Sequence, residues 1–234
     1  MKFNRISVAK KLILARHFEK AKKILEPSAK RNNAEAQLIL GYLYYCGDSD
    51  TSATQAECWL QLSAKNGNAE AMFYVATTNF EHGTISSEPK DSKSLPLLLE
   101  AAKKGSAEAQ RSLAILYAHG EVVPKDNKKT MYWDEQAAKQ GLAESQHDLA
   151  LMLLYGEGGV IDIPKAIYWY KKSASEDYNV PYAQWAAEAL ARIYSGEPYS
   201  QYTDLEKSKY WENRAQYLET VDFRSHPNWF YDSF

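Results

Sequence analysis

The chain has 234 residues and a mass of 26.6 kDa, with 45% hydrophobic and 25% charged residues, proportions that fit a globular chain and argue against a disordered one. A mean hydropathy of −0.54, and no apolar run near the roughly 18 residues a spanning helix needs, exclude a helical membrane protein. The net charge of −2 hides an asymmetry: residues 1 to 31 carry ten Lys or Arg and two Glu, a charge of +8 that leaves −10 for the remainder.

In chain order, the first segment is amphipathic. Ile6, Ala9 and Ile13, then Phe18, Ala21, Ile24 and Leu25, give two apolar stripes, which predicts a helix pair over residues 1–33. Its only apolar run, Leu12 to Ala15, is shorter than the central region of about 7 to 15 residues in a secretory signal, so export by that route is not expected. The basic cluster Lys10, Lys11, Lys20, Lys22 and Lys23 is either a solvated face or a surface that steers a partner. It is the one track a phosphate backbone could follow, and the acidic remainder disfavours nucleic acid.

Beyond residue 33 the sequence repeats. Lys65-Asn66-Gly67-Asn68-Ala69-Glu70-Ala71 returns as Lys103-Lys104-Gly105-Ser106-Ala107-Glu108-Ala109 and as Lys139-Gln140-Gly141-Leu142-Ala143-Glu144-Ser145; Asn33-Ala34-Glu35-Ala36-Gln37 is an earlier copy without the glycine. The small residues at 36, 71, 109 and 145 are 35, 38 and 36 apart, a period of the size that marks a stacked repeat array. Leu40-Gly41 recurs as Val75-Ala76, Leu113-Ala114, Leu149-Ala150 and Leu190-Ala191. A tryptophan follows each polar loop, at Trp59, Trp133, Trp169 and Trp211, with Leu97 in that place in the second copy, and Ala64, Ala102, Ala138 and Ala174 lie five residues further on.

Each copy reads as helix, loop, helix. Ala36, Leu40 and Tyr44 are four apart and share one helix face. Gly47, Gly120 and Gly156 fall where the first helix must stop with positive φ. Asp126, Asp162 and Asp204 stand where they can cap the second helix, and Pro164 falls in a first turn, where its missing N–H costs little. Pro96 places the start of its helix at Ser94. Gly67, Gly105 and Gly141 end the second helices.

These residues resemble the Sel1-like repeat (SLR) family, relatives of the tetratricopeptide repeats, whose copies run from a small residue and glutamine through leucine–glycine, tyrosine and a glycine loop to aspartate, alanine, tryptophan and a small-residue pair. Ala107 to Gly141 and Ala143 to Asp177 follow that pattern most fully. The resemblance implies an all-α, right-handed α-solenoid of antiparallel helix pairs. The domain order it gives is a capping helix pair at 1–33, five repeats at 34–216 and an aromatic tail at 217–234. The second copy departs at Leu97 and by an extra residue before Gly83. The fifth follows an insertion, Tyr178 to Trp185, and its first helix is expected to begin about one turn early.

At about 100° per residue, a second stripe on each first helix lies opposite the packing face, and in such families it lines the concave surface. It carries Tyr42, Tyr45, Phe73, Phe80, Arg111, His147, Trp185 and Arg192. Aromatics and arginine are enriched at interface hot spots; the same side chains could instead pack on the neighbouring first helix, and on sequence both readings stand. No catalytic motif or phosphate-binding glycine loop is present, and no cofactor or metal is expected; His82 and His119 sit at similar helix ends. Cys46 and Cys58 suit free thiols in a reducing cytoplasm. The resemblance therefore implies a non-enzymatic, cytoplasmic scaffold or adaptor that binds another protein, in a family whose bacterial members act as adaptors in signalling and secretion, some of them resembling immunity proteins that neutralise secreted toxins. The alternative is a hydrolase or small-ligand-binding protein using the same groove. The tail from Val221 to Phe234 is too aromatic to remain in water and is expected to dock, as a cap on the last repeat or as a ligand for the groove or a second chain.

Overall fold

The computed structural model describes residues 5–46, 50–79, 84–85, 89, 94–175 and 180–220. Gly47, Phe80, His82 and the tail from Val221 to Phe234 lie outside the described residues. Among those residues there are twelve α-helices, one short 3₁₀ turn and one two-stranded ladder. The chain divides into two compact units, one through Leu113 and the other from Ala114.

The first unit holds α1 (Arg5–Leu14), α2 (Phe18–Ala29), α3 (Ala34–Tyr45), α4 (Asp50–Lys65), α5 (Ala69–Thr77) and α6 (Leu95–Lys103), and it receives the start of α7 (Ala107–His119). Consecutive helices from α1 to α6 pack on one another. The predicted N-terminal pair is present: Ala9, Ile13, Ala21 and Leu25 form one buried cluster with Ala36, Ile39 and Leu40, and Trp59 packs against it. Asn33 and Asn68 start α3 and α5 by accepting hydrogen bonds from the N–H groups of Ala36 and Ala71 at 2.8 and 2.9 Å, satisfying donors that a first turn leaves open.

α5 is shorter than the sequence pattern suggests. The chain leaves the helix at Thr77, Thr78 is extended, and β1 (Thr78–Asn79) pairs antiparallel with β2 (Thr84–Ile85), Thr78 opposite Ile85 and Asn79 opposite Thr84. Two β-branched threonines in succession, with the Thr77 hydroxyl donating to the Phe73 carbonyl at 2.9 Å, favour that exit from the helix. Helical angles therefore do not carry the stripe past Thr77 toward Phe80.

The second unit holds the rest of α7, then α8 (Asn127–Lys139), α9 (Ala143–Tyr155), α10 (Ile163–Ala174), α11 (Val180–Ser195), the 3₁₀ turn Ser200–Tyr202 and α12 (Leu205–Thr220). α11 begins early, as its insertion implies, and packs on α9, α10 and α12. The aspartates act as expected: Asp126 caps Lys128 and Lys129, Asp162 caps Lys165, and Asp204 accepts from the Lys207 N–H. Their own N–H groups close the loops by donating to the carbonyls of Tyr117, Leu153 and Tyr194 at 2.9, 2.9 and 2.8 Å. Gly156 ends α9 in the left-handed region, φ 73°, which a side chain on Cβ disfavours.

The tryptophans occupy one register. Trp169 is buried and Trp211 is half-buried against the same cluster, while Trp133 is half-buried. Each has an exposed tyrosine just before it, edge-on at 4.9 Å: Tyr132–Trp133, Tyr168–Trp169 and Tyr210–Trp211. The small residues at the first-helix position are almost wholly buried, with Ala76 and Ala150 at 0% exposure. At Gly41 a Cβ would come within 2.6 Å of the Leu60 Cγ, so even alanine forces Leu60 to move.

Two stability predictions follow from this packing. Gly41→Ala gains up to about 1 kcal/mol of helix propensity but meets an overpacking cost of about 1–3 kcal/mol, so urea denaturation should give a net loss of about 1 kcal/mol. Trp169→Ala should lose about 3–5 kcal/mol by the same measurement, because it empties a buried indole site.

Candidate functional site

The first-helix stripe is built in each unit from its own helices. In the first unit α3 brings Tyr42 and α5 brings Glu70, Phe73 and Tyr74 to one cluster. Tyr42 and Tyr74 meet edge-on at 4.8 Å, and Phe73 and Tyr74 at 5.0 Å. Tyr42 and Phe73 are 7% and 5% exposed, so here the packing reading applies: these rings fill the contact between adjacent first helices. Tyr45 and Arg111 are half-buried.

The centre of that cluster is Glu70. The Ser106 hydroxyl donates to its Oε2 at 2.9 Å, and Tyr42 and Tyr74 are also hydrogen-bonded to its carboxylate. Burial of the carboxylate raises its pKa, and the three hydroxyl partners only partly oppose that shift. The same burial, with the neighbouring carboxylate, pushes the Tyr42 and Tyr74 phenols upward. The arrangement is a polar network of three hydroxyls on one carboxylate, set against the rings of Tyr42, Phe73 and Tyr74.

In the second unit His147 of α9 is surrounded by rings: Tyr170 of α10 at 5.6 Å, Tyr182 of α11 at 5.6 Å and Trp185 of α11 at 5.9 Å. Tyr182 and Trp185 meet at 5.2 Å. His147 Nδ1 lies 3.1 Å from Asp148 Oδ1. Tyr170 is fully buried, and its hydroxyl has no hydrogen-bond partner among the described residues. Trp185 is 48% exposed, and Arg192, two turns along the same helix, is exposed.

Among the predicted positions, Tyr42 and Phe73 thus converge on Tyr74, and His147 converges with Trp185. Sequence reading did not find Tyr74, Ser106, Tyr170 or Tyr182 as site members. Tyr74 lies one residue off the stripe, Ser106 sits in a loop, Tyr170 is on a second helix and Tyr182 belongs to the insertion. The pairing of Glu70 with hydroxyls on other elements has no spacing signature. Cys46 and Cys58 are free and exposed. Among the described residues no three His, Cys, Asp or Glu side chains cluster to hold a metal, and no helix is long and apolar enough to cross a membrane.

Glu70 makes a pH prediction. Its folded pKa lies above the ordinary value near 4.5, so its contribution to stability is present below that value and is lost as pH rises through the folded pKa. Glu70→Gln should flatten the decline in unfolding free energy as pH rises above the ordinary carboxylate range, measured by denaturant titration at each pH.

Residues 34–68, 69–106, 107–142 and 143–178 each match the Sel1 repeat. No curated protein shows a significant match to the sequence. Among solved structures, a Sel1 repeat protein from Oxalobacter formigenes is similar at 25% identity and TM-score 0.65, covering 86% of this chain and 79% of that one. A protective antigen of uropathogenic Escherichia coli with an SLR fold is 22% identical with TM-score 0.66, covering 88% of this chain and 43% of that one. An immunity protein from Pseudomonas aeruginosa is 18% identical with TM-score 0.50, covering 86% and 75%. The last two likenesses are of fold alone.

Proposed function

Because this chain belongs to the Sel1 repeat family, whose copies generally serve as non-catalytic scaffolds for protein interaction, we propose that it binds another protein through the first-helix stripe of its second unit. The observation that carries this reading is the half-exposed indole of Trp185, held edge-on by Tyr182 and against His147, with the exposed Arg192 two turns further along the same helix. A large ring fixed at the surface gives contact area at small entropic cost, and Trp and Arg are the side chains that dominate interface energies. Tyr42 and Phe73 belong to the packing of the first unit, so they support the stripe from within rather than offering contact. Arg111 and Tyr45, half-buried, stand between these extremes.

The finer role carried by this proposal is that of a neutralising or adaptor protein in a reducing, cytoplasmic setting, which the two exposed free thiols suit. The immunity protein named above supports only the choice of fold for that role.

Trp185→Ala and Arg192→Ala should each weaken partner binding by about tenfold or more while changing stability by less than about 1 kcal/mol. The check is affinity capture from the source cells with the native chain and the double variant side by side, followed by calorimetric titration of the purified pair. A partner retained equally by both chains would overturn the assignment of the stripe. Tyr42→Ala and Phe73→Ala, in contrast, should lower the melting temperature whether or not a partner is present.

A further inference from the structure

The second repeat lacks two groups that other repeats share, and both losses fall at one place. Leu97 stands five residues before Ala102, in the register of Trp59, Trp133 and Trp169 before Ala64, Ala138 and Ala174. Beside it the first unit has an open groove of about 440 Å³, walled by Ala64, Met72, Val75 and Leu97. Gln61, Lys65 and Glu100 form its polar rim. In the fourth repeat the counterpart space is filled: Trp169 lies in one buried cluster with Ala138 and Leu149, the equivalents of Ala64 and Val75. The smaller leucine adds to this opening, which lies at the lower end of the roughly 300–1,000 Å³ of ligand pockets and has room for an aromatic side chain.

The second loss is a hydrogen-bond donor. Gln37, Gln110 and Gln146 each donate a side-chain amide N–H to the carbonyl eight residues earlier, Ala29, Ala102 and Ala138, at 2.9, 3.0 and 3.2 Å. Those carbonyls also accept backbone N–H groups, from Asn32, Gly105 and Gly141. In the second repeat the donor position is Met72, and the Ala64 carbonyl accepts the Gly67 N–H at 2.9 Å without a side-chain amide among the described residues. Trp169, whose counterpart carbonyl is taken by Gln146, has a buried Nε1 with no partner among the described residues; the second repeat leaves that acceptor open.

We propose that this groove is a docking point for a tryptophan side chain of a partner polypeptide, the indole lying against Met72, Val75 and Leu97 and its N–H donating to the Ala64 carbonyl. Phenylalanine would fill the walls but leave the carbonyl's second lone pair unused. A primary amide would satisfy the carbonyl but leave the walls wet. The exposed Gln61, Lys65 and Glu100 suit the peptide groups on either side of the inserted residue. The site uses no residue of the proposed first-helix stripe, so either assignment can fail without the other.

The probe is N-acetyl-L-tryptophanamide, followed by ligand-observed NMR on the full chain. Saturable binding is expected, at least tenfold weaker for Leu97→Trp, in which the chain fills its own groove, and several-fold weaker for Met72→Gln, which returns the amide to the Ala64 carbonyl. Leu97→Trp should also raise the melting temperature; if it does not fold, as judged by far-ultraviolet circular dichroism, Val75→Phe blocks the same walls. Free indole should bind no tighter than the amide, N-acetyl-L-phenylalaninamide should bind more weakly, and Trp185→Ala should leave binding unchanged. Absence of saturable binding, equal binding by the blocked groove, or acceptance of indole with rejection of the amide would overturn the proposal.

Discussion

The end of each second helix is the joint on which the repeat array depends. Helix carbonyls in a last turn have no intrahelical partner, and at the ends of α2, α6 and α8 the same one is used twice: by the backbone N–H that follows it in the turn, and by a glutamine from the next first helix. The glutamine ties two consecutive hairpins through a buried polar contact, and its loss would leave the carbonyl with the backbone N–H alone. A second bond works in the same sense. The hydroxyls of Ser63 and Ser173 donate to the carbonyls of Ala34 and Ala143, at the start of the first helix of their own hairpins, at 2.7 and 3.0 Å. With both termini pinned, the spacing between helices is left to side-chain size, which explains why glycine or alanine recurs beside the leucine of each first helix.

Much of this was legible in the sequence because a repeat is written several times over. Four copies in register make the role of an aspartate, a glycine or a tryptophan plain even where one copy deviates. The aspartate caps and the early start of α11 follow from that redundancy together with elementary helix chemistry. The exit of the chain from α5 into a short ladder was not legible, because it depends on two threonines in a copy whose pattern otherwise predicts a helix.

The candidate site was legible only by halves. Helical angles identify which residues share a stripe, and they bring His147 and Trp185 to the same place. They do not say how closely neighbouring first helices approach, and that distance decides whether a ring is packed or offered. Tyr42 and Phe73 are packed; Trp185 is offered. The Glu70 network was beyond sequence reading for a related reason: its members come from a first helix, the next first helix and a loop, and their meeting is a product of tertiary packing alone.

The paired tyrosines and tryptophans of the second helices have an optical consequence. An exposed phenol edge-on to an indole at 4.9 Å is an efficient energy donor to it, so ultraviolet excitation absorbed by Tyr132, Tyr168 and Tyr210 emerges as indole emission from three defined places along the chain. The second repeat, with Leu97 at that register, contributes no such emission. A fluorescence-detected unfolding curve therefore weights the repeats unequally, and a local opening of α5 and α6 moves no paired indole of their own while amide exchange in those helices records it.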